Sequence, residues 1–158
     1  MIGTINPIRL NEFIEYEDLF HEMFKGTSLK AGSIRQIVYW IEPEKSIITY
    51  DILIGNKKFM YIEDSPSPPS IQRCELTFRT LFELHQSVDI EIAGVKRPSV
   101  ISSIKVVWGN DKYLVLYGLN DRTDTTYFGV QEELLIKWNP EYGRFNRDNG
   151  LYEKGTGG

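Results

Sequence analysis

Cys74, His21 and His85 are the side chains with which this chain could do nucleophilic or metal chemistry, because its 158 residues include one cysteine and two histidines. A cysteine nucleophile needs a neighbouring base that holds it as the thiolate. If the segment around Cys74 is helical, His85 lies three turns further on, roughly 16 Å away at about 1.5 Å per residue, which is beyond hydrogen-bond reach. His21 is far from Cys74 in sequence, and spacing does not bring the two together. A small buried cysteine and two partly exposed histidines account for the set without catalysis. Nor can these three residues fill a tetrahedral zinc shell without help from carboxylates.

Oxygen ligands occur in "LNDRTDT", where Asn120, Asp121 and Asp124 would suit a hard cation, although the order of an EF-hand loop is missing. The same residues are what a polar hairpin turn uses. The sequence contains no glycine-rich phosphate loop, nucleophile elbow or H-E-x-x-H motif. The expectation is a protein with no catalytic residue, no metal and no cofactor.

Binding residues are easier to nominate. Glu12, Glu15, Asp18 and Glu22 form an acidic stripe with no lysine or arginine between Arg9 and Lys25, suited to steering a basic partner or to a solvated helix face. Near the end of the chain, Tyr142, Phe145 and Tyr152 alternate with Arg144 and Arg147 among glycines and asparagines. Aromatic and arginine residues concentrate in interface hot spots, so this segment reads as an adhesive arm or a frayed tail. Gly157-Gly158 resembles the di-glycine end of ubiquitin-like modifiers, but nothing else in the chain matches such a protein.

The elements that must carry these residues follow from periodicity. Phe13, Tyr16, Phe20, Met23 and Phe24 share one stripe at helical spacing, which predicts an amphipathic helix over Leu10–Lys25 with Asn11 as N-cap and Gly26 as stop. "IRQIVYWI", "SIITYDILI" and "KKFMYIED" follow as strands, joined at Glu42–Lys45 and Gly55-Asn56. A second meander is predicted from "SVISSIKVVW", "KYLVLYG", "TTYFGV" and "ELLIKW", with Gly109-Asn110-Asp111 as its hairpin turn. Between the meanders, residues 71–86 fit both a helix and a strand. The helix is preferred because alternation fails at Leu81-Phe82, while "VDIEI" reads as a strand with Val88, Ile90 and Ile92 inward.

Each half would then be a helix followed by a meander whose first strand ends in tryptophan, at Trp40 and at Trp108. That similarity reads either as a decayed helix-plus-meander duplication or as the shared composition of two strand-rich segments. Halves of some 60 residues would bury only about 60% of their surface alone, so they should pack together, with "EDSPSPPS" as a loop inside one domain.

With 41% hydrophobic residues the chain can build one core, and a formal net charge of -4 argues against broad binding to nucleic acid or anionic membranes. No apolar run reaches the roughly 20 residues a spanning helix needs, and "MIGTINPIRLNEF" lacks a signal-peptide pattern. A lone cysteine cannot form an internal disulfide, which places the expectation in the cytoplasm. The combined reading is an α+β domain over 1–140, dominated by antiparallel sheet, with an arm or tail over 141–158. Its expected function is a non-enzymatic protein-interaction module, such as an inhibitor, immunity-type protein or accessory subunit that binds a protein partner or self-associates. The alternatives are a small-ligand pocket protein and an enzyme with dispersed carboxylates.

Overall fold

β-Branched and aromatic residues fill the central segments, and such residues fit a pleated, half-buried surface. In the computed structural model, which describes residues 1–15, 31–64, 72–109, 112–142, 144–146 and 151–153, these segments form one curled half-barrel sheet. The first meander is as expected: β3 (Ala31–Ile41), β4 (Ser46–Ile54) and β5 (Lys57–Glu63). β7 (Ser87–Ile92), β8 (Val95–Trp108), β9 (Tyr113–Asp121) and β10 (Thr126–Gln131) build the second. The strand order β10-β9-β8-β3-β4-β5 runs across the sheet, with β7 beside the early part of β8 and β2 (Phe13–Glu15) beside β3.

Among the described residues, the expected N-terminal helix does not begin at Leu10. Phe13–Glu15 is extended and pairs with Ser33–Ala31, and Asn11, instead of capping a helix, takes φ 63° and donates its N–H to the Ile34 carbonyl. The remainder of that segment, 16–25, lies outside the described residues. The second helix is also overturned. Leu76–Arg79 is strand β6, paired antiparallel with β1 (Ile2–Ile5), and the chain then turns through Thr80–Leu84. Leu81 and Phe82 are both buried because the turn itself enters the core, and this produces an apolar pattern that mimics a helix. Conversely, "ELLIKW" is not a strand. It lies within helix α1 (Glu132–Trp138), whose C-cap Asn139 donates to the Leu135 carbonyl and exchanges two hydrogen bonds with the Asp89 backbone of β7. The expected strand "VDIEI" is present, with Val88 and Ile90 buried.

A helix-plus-meander repeat is therefore excluded, and the tryptophans are not equivalent. What corresponds between the halves is the strands, in a different alignment. Both β3 and β8 carry a bulge, after Ile34 and after Ile101, and beyond it Ile37 pairs with Tyr50 as Ile104 pairs with Tyr117. The two meanders thus superpose with Tyr50 on Tyr117, which puts Trp108 on Ile41 and Trp40 on Val107. Trp108 faces the core at 3% exposure, while Trp40 projects from the opposite face. β3 and β8 pair antiparallel with each other, as do β1 and β6, so an approximate two-fold axis passes through both contacts. Turn geometry repeats as well. His85 takes φ 68° like Asn11 and donates to the Ile101 carbonyl, just as Asn11 donates to that of Ile34.

Each half closes on a buried tyrosine. The Tyr50 hydroxyl accepts the Ile8 N–H and donates to Asp64 at 2.8 Å, and Arg73 holds that carboxylate from the far side. Burial pushes the Tyr50 hydroxyl well above the ordinary tyrosine range, which favours the protonated form that donates to Asp64. The Tyr117 hydroxyl accepts the Phe82 N–H and donates to Glu132 at 2.6 Å, and the same carboxylate oxygen accepts the Leu81 N–H. Tyr50, Tyr117 and Phe82, joined by Phe78 from β6, sit among isoleucines in the core. Within the β1–β6 ribbon Gly3 lies opposite Phe78 and makes room for its ring, since a Cβ there would fall 2.5 Å from it.

Candidate interaction surface

β5 and β10 end the strand order, and each carries a bulge at the corresponding place. In β5, Met60 and Tyr61 together oppose Asp51, while in β10, Phe128 and Gly129 together oppose Gly118. Bulges bend and twist an edge strand, which discourages indiscriminate pairing with other sheets. They also aim side chains outward, and the apolar ones here are well exposed: Met60 at 48%, Tyr61 at 60% and Phe128 at 80%.

The two bulges differ in one telling respect. Both need a residue with positive φ, and β10 supplies Gly129 at φ 66° whereas β5 uses Tyr61 at φ 61°. A side chain with a Cβ costs roughly 1–2 kcal/mol in this region. Tyr61 recovers little of that through burial, although its ring lies 5.9 Å from that of Trp40.

Trp40 is held from several sides. Its indole N–H donates to Thr49 Oγ1 at 2.7 Å, and Lys105 Nζ lies 5.0 Å from its ring centroid on the neighbouring strand. Attraction between a cation and the indole face adds to the hydrogen bond in fixing the ring. Val107 and Leu114 extend the same face across β8 and β9. Beneath Tyr61, the buried Asp51 accepts the Tyr61 N–H at 3.4 Å and lies 3.7 Å from Lys58. Its Oδ2 makes no hydrogen bond among the described residues. The result is a pre-oriented aromatic platform with a cation beside it, and the Phe128 knob stands on the other terminal strand, β10. Groups of this kind contribute most to protein interfaces.

The residues nominated from sequence fall elsewhere. Glu12 lies in the turn before β2 and Glu15 in β2 itself, while Asp18 and Glu22 lie outside the described residues. Tyr142 ends a short 3-10 turn (Pro140–Tyr142) and packs edge-on against Phe82 at 5.2 Å, so its ring faces its own domain. Arg144 and Phe145 belong to β11 (Arg144–Asn146), which pairs with β12 (Leu151–Glu153) so that Phe145 opposes Tyr152; Arg147 lies outside the described residues, as does His21. The Cys74 thiol contacts the Pro7 carbonyl at 3.6 Å, and His85 is occupied as a turn residue. Sequence patterning passed over Trp40, Tyr61 and Phe128. The one available signal was "YFGV", with an aromatic next to glycine at a strand edge.

The loop proposed as a cation site has its carboxylate engaged internally. Asp121 Oδ1 accepts the Thr123 hydroxyl at 2.7 Å and the N–H groups of Thr123 and Thr125, while Oδ2 accepts the Tyr127 hydroxyl. The Thr123 hydroxyl above all, with those backbone donors, holds the Asp121 carboxyl below the ordinary aspartate value of 3.8. A carboxyl depressed in the folded state supports the turn above the ordinary range and loses that support as pH falls through the lowered value. Side-chain NMR titration is therefore expected to give Asp121 a midpoint below 3.8, with Thr123 and Thr125 amide exchange accelerating only below that midpoint. A midpoint at or above the ordinary value would contradict the turn geometry.

No group of three or more potential metal ligands occurs among the described residues, and none of their helices is long and apolar enough to cross a membrane. Comparison with known proteins adds no relative: no family profile matches the chain, and neither curated proteins nor solved structures provide a match.

Proposed function

We propose that this protein is a non-enzymatic protein-interaction module that grips its partner with the Trp40–Tyr61 platform and the Phe128 knob. The observation that carries this reading is Tyr61, an exposed aromatic held in the left-handed region where its counterpart is Gly129. Strain that no burial offsets points to a role outside the fold. The partner is a second protein or another copy of this chain, met in the cytoplasm, where a free Cys74 stays reduced. Nucleic acid is disfavoured by the net charge of -4.

The decisive variant is Tyr61→Gly, because it removes the ring and relieves the backbone together. Its melting temperature is expected to equal or exceed the parent's, since relief of strain offsets loss of the Trp40 ring contact. Affinity capture from cells with mass spectrometry should then return a partner, or the chain itself, with the parent protein but not with Tyr61→Gly or Phe128→Ser. Capture of the same set by all three would refute the platform. A clear drop in melting temperature for Tyr61→Gly would show that the ring serves the fold instead.

A further inference from the structure

A cleft of about 520 Å³ opens beside the β1–β6 ribbon, within the range of small-molecule sites. Its floor is apolar. Ile37 and Trp108, 0% and 3% exposed, lie beneath it, and the apolar surface that the cleft presents is that of Leu10, Leu76 and Tyr113. Trp108 is fixed by ring contacts with Phe78 at 6.0 Å and Tyr113 at 5.9 Å, so the floor exists without a ligand to shape it. Tyr113 is anchored in turn, its hydroxyl accepting the Arg79 N–H at 3.1 Å.

The rim is polar and asymmetric. Arg9 and Asn11 stand on the turn after β1, and Cys74 and Glu75 on the approach to β6. Arg9 is exposed and forms no ion pair among the described residues. Burial raises the Cys74 thiol, and the nearby Arg9 guanidinium acts against that rise.

We propose that this cleft binds a small amphipathic anion, with an aromatic or branched aliphatic body against Leu10, Leu76 and Tyr113 and a carboxylate or sulfonate head at Arg9. Guanidinium forks match such heads bidentately, and the partly exposed Tyr113 ring suits a planar body. The site is separate from the Trp40 face, because Trp40 and Trp108 lie on opposite faces of the sheet.

The test uses two dyes on the full chain: 1-anilinonaphthalene-8-sulfonate, and the uncharged N-phenyl-1-naphthylamine. Both should bind one per chain with enhanced fluorescence. Thr77→Trp and Glu75→Trp change exposed residues at the cleft wall and should each weaken both dyes at least tenfold, with the melting temperature showing that the fold is kept. Arg9→Gln should weaken the sulfonate about tenfold and leave the uncharged dye unchanged. Binding that persists in both tryptophan variants, or absence of binding by either dye, overturns the site. Equal response of the two dyes to Arg9→Gln overturns the anionic class of ligand.

Discussion

Glu132→Ala is expected to lower stability by about 3–5 kcal/mol, because two buried donors, the Leu81 N–H and the Tyr117 hydroxyl, lose their shared acceptor. Glu132 is 1% exposed, so water cannot replace the carboxylate without opening the core. For a domain of this size the loss corresponds to a fall in melting temperature on the order of 10 °C. The corresponding change in the first half, Asp64→Ala, should cost less. Asp64 has 18% side-chain exposure, so its partners Tyr50 and Arg73 can find water. Urea unfolding of both variants against the parent measures the difference. A loss below about 1 kcal/mol for Glu132→Ala would mean that the buried donors have other acceptors.

Cleaving the chain at Ser67 should abolish folding of either piece alone and restore it when the pieces are mixed. The central ladder from Ile37 opposite Trp108 to Ile41 opposite Ile104 joins the halves, and so does the ribbon of Ile2–Ile5 with Arg79–Leu76. Separation would uncover both seams at once and expose in each piece apolar surface that the other piece covers. The intact chain should melt in one cooperative transition, and circular dichroism of the two fragments, singly and mixed, provides the check. A folded, monomeric fragment 1–67 would show that the seams are ornamental and that the halves are separate domains.

Local patterning revealed the parts of the fold that local interactions decide. The meander β3-β4-β5 was legible because "IRQIVYWI" and "SIITYDILI" are dense in β-branched and aromatic residues and Gly55 takes the positive φ its turn requires. The region 71–86 was misread because its partner strand β1 lies more than seventy residues away, and no pattern within the window carries that information. Leu81 and Phe82 deepened the error, since a turn that enters the core places apolar residues without regular alternation. Trp40 and Trp108 look equivalent in sequence and differ by one position in the structural alignment, which in a strand means opposite faces. The candidate surface was hidden for a related reason: Tyr61 stands out only once its φ is known, because tyrosine in a strand is ordinary by composition.

The approximate two-fold arrangement also governs how the chain reaches this structure. β3·β4 and β8·β9 are hairpins and can close in microseconds, whereas β3·β8 and β1·β6 must bring together segments far apart along the chain. Until those two seams close, each half exposes the edge of β3 or β8, and another chain offers the same complementary edge. Refolding yield should therefore fall with protein concentration, through reciprocal exchange of halves between molecules, although the finished protein hides both edges in the middle of its sheet.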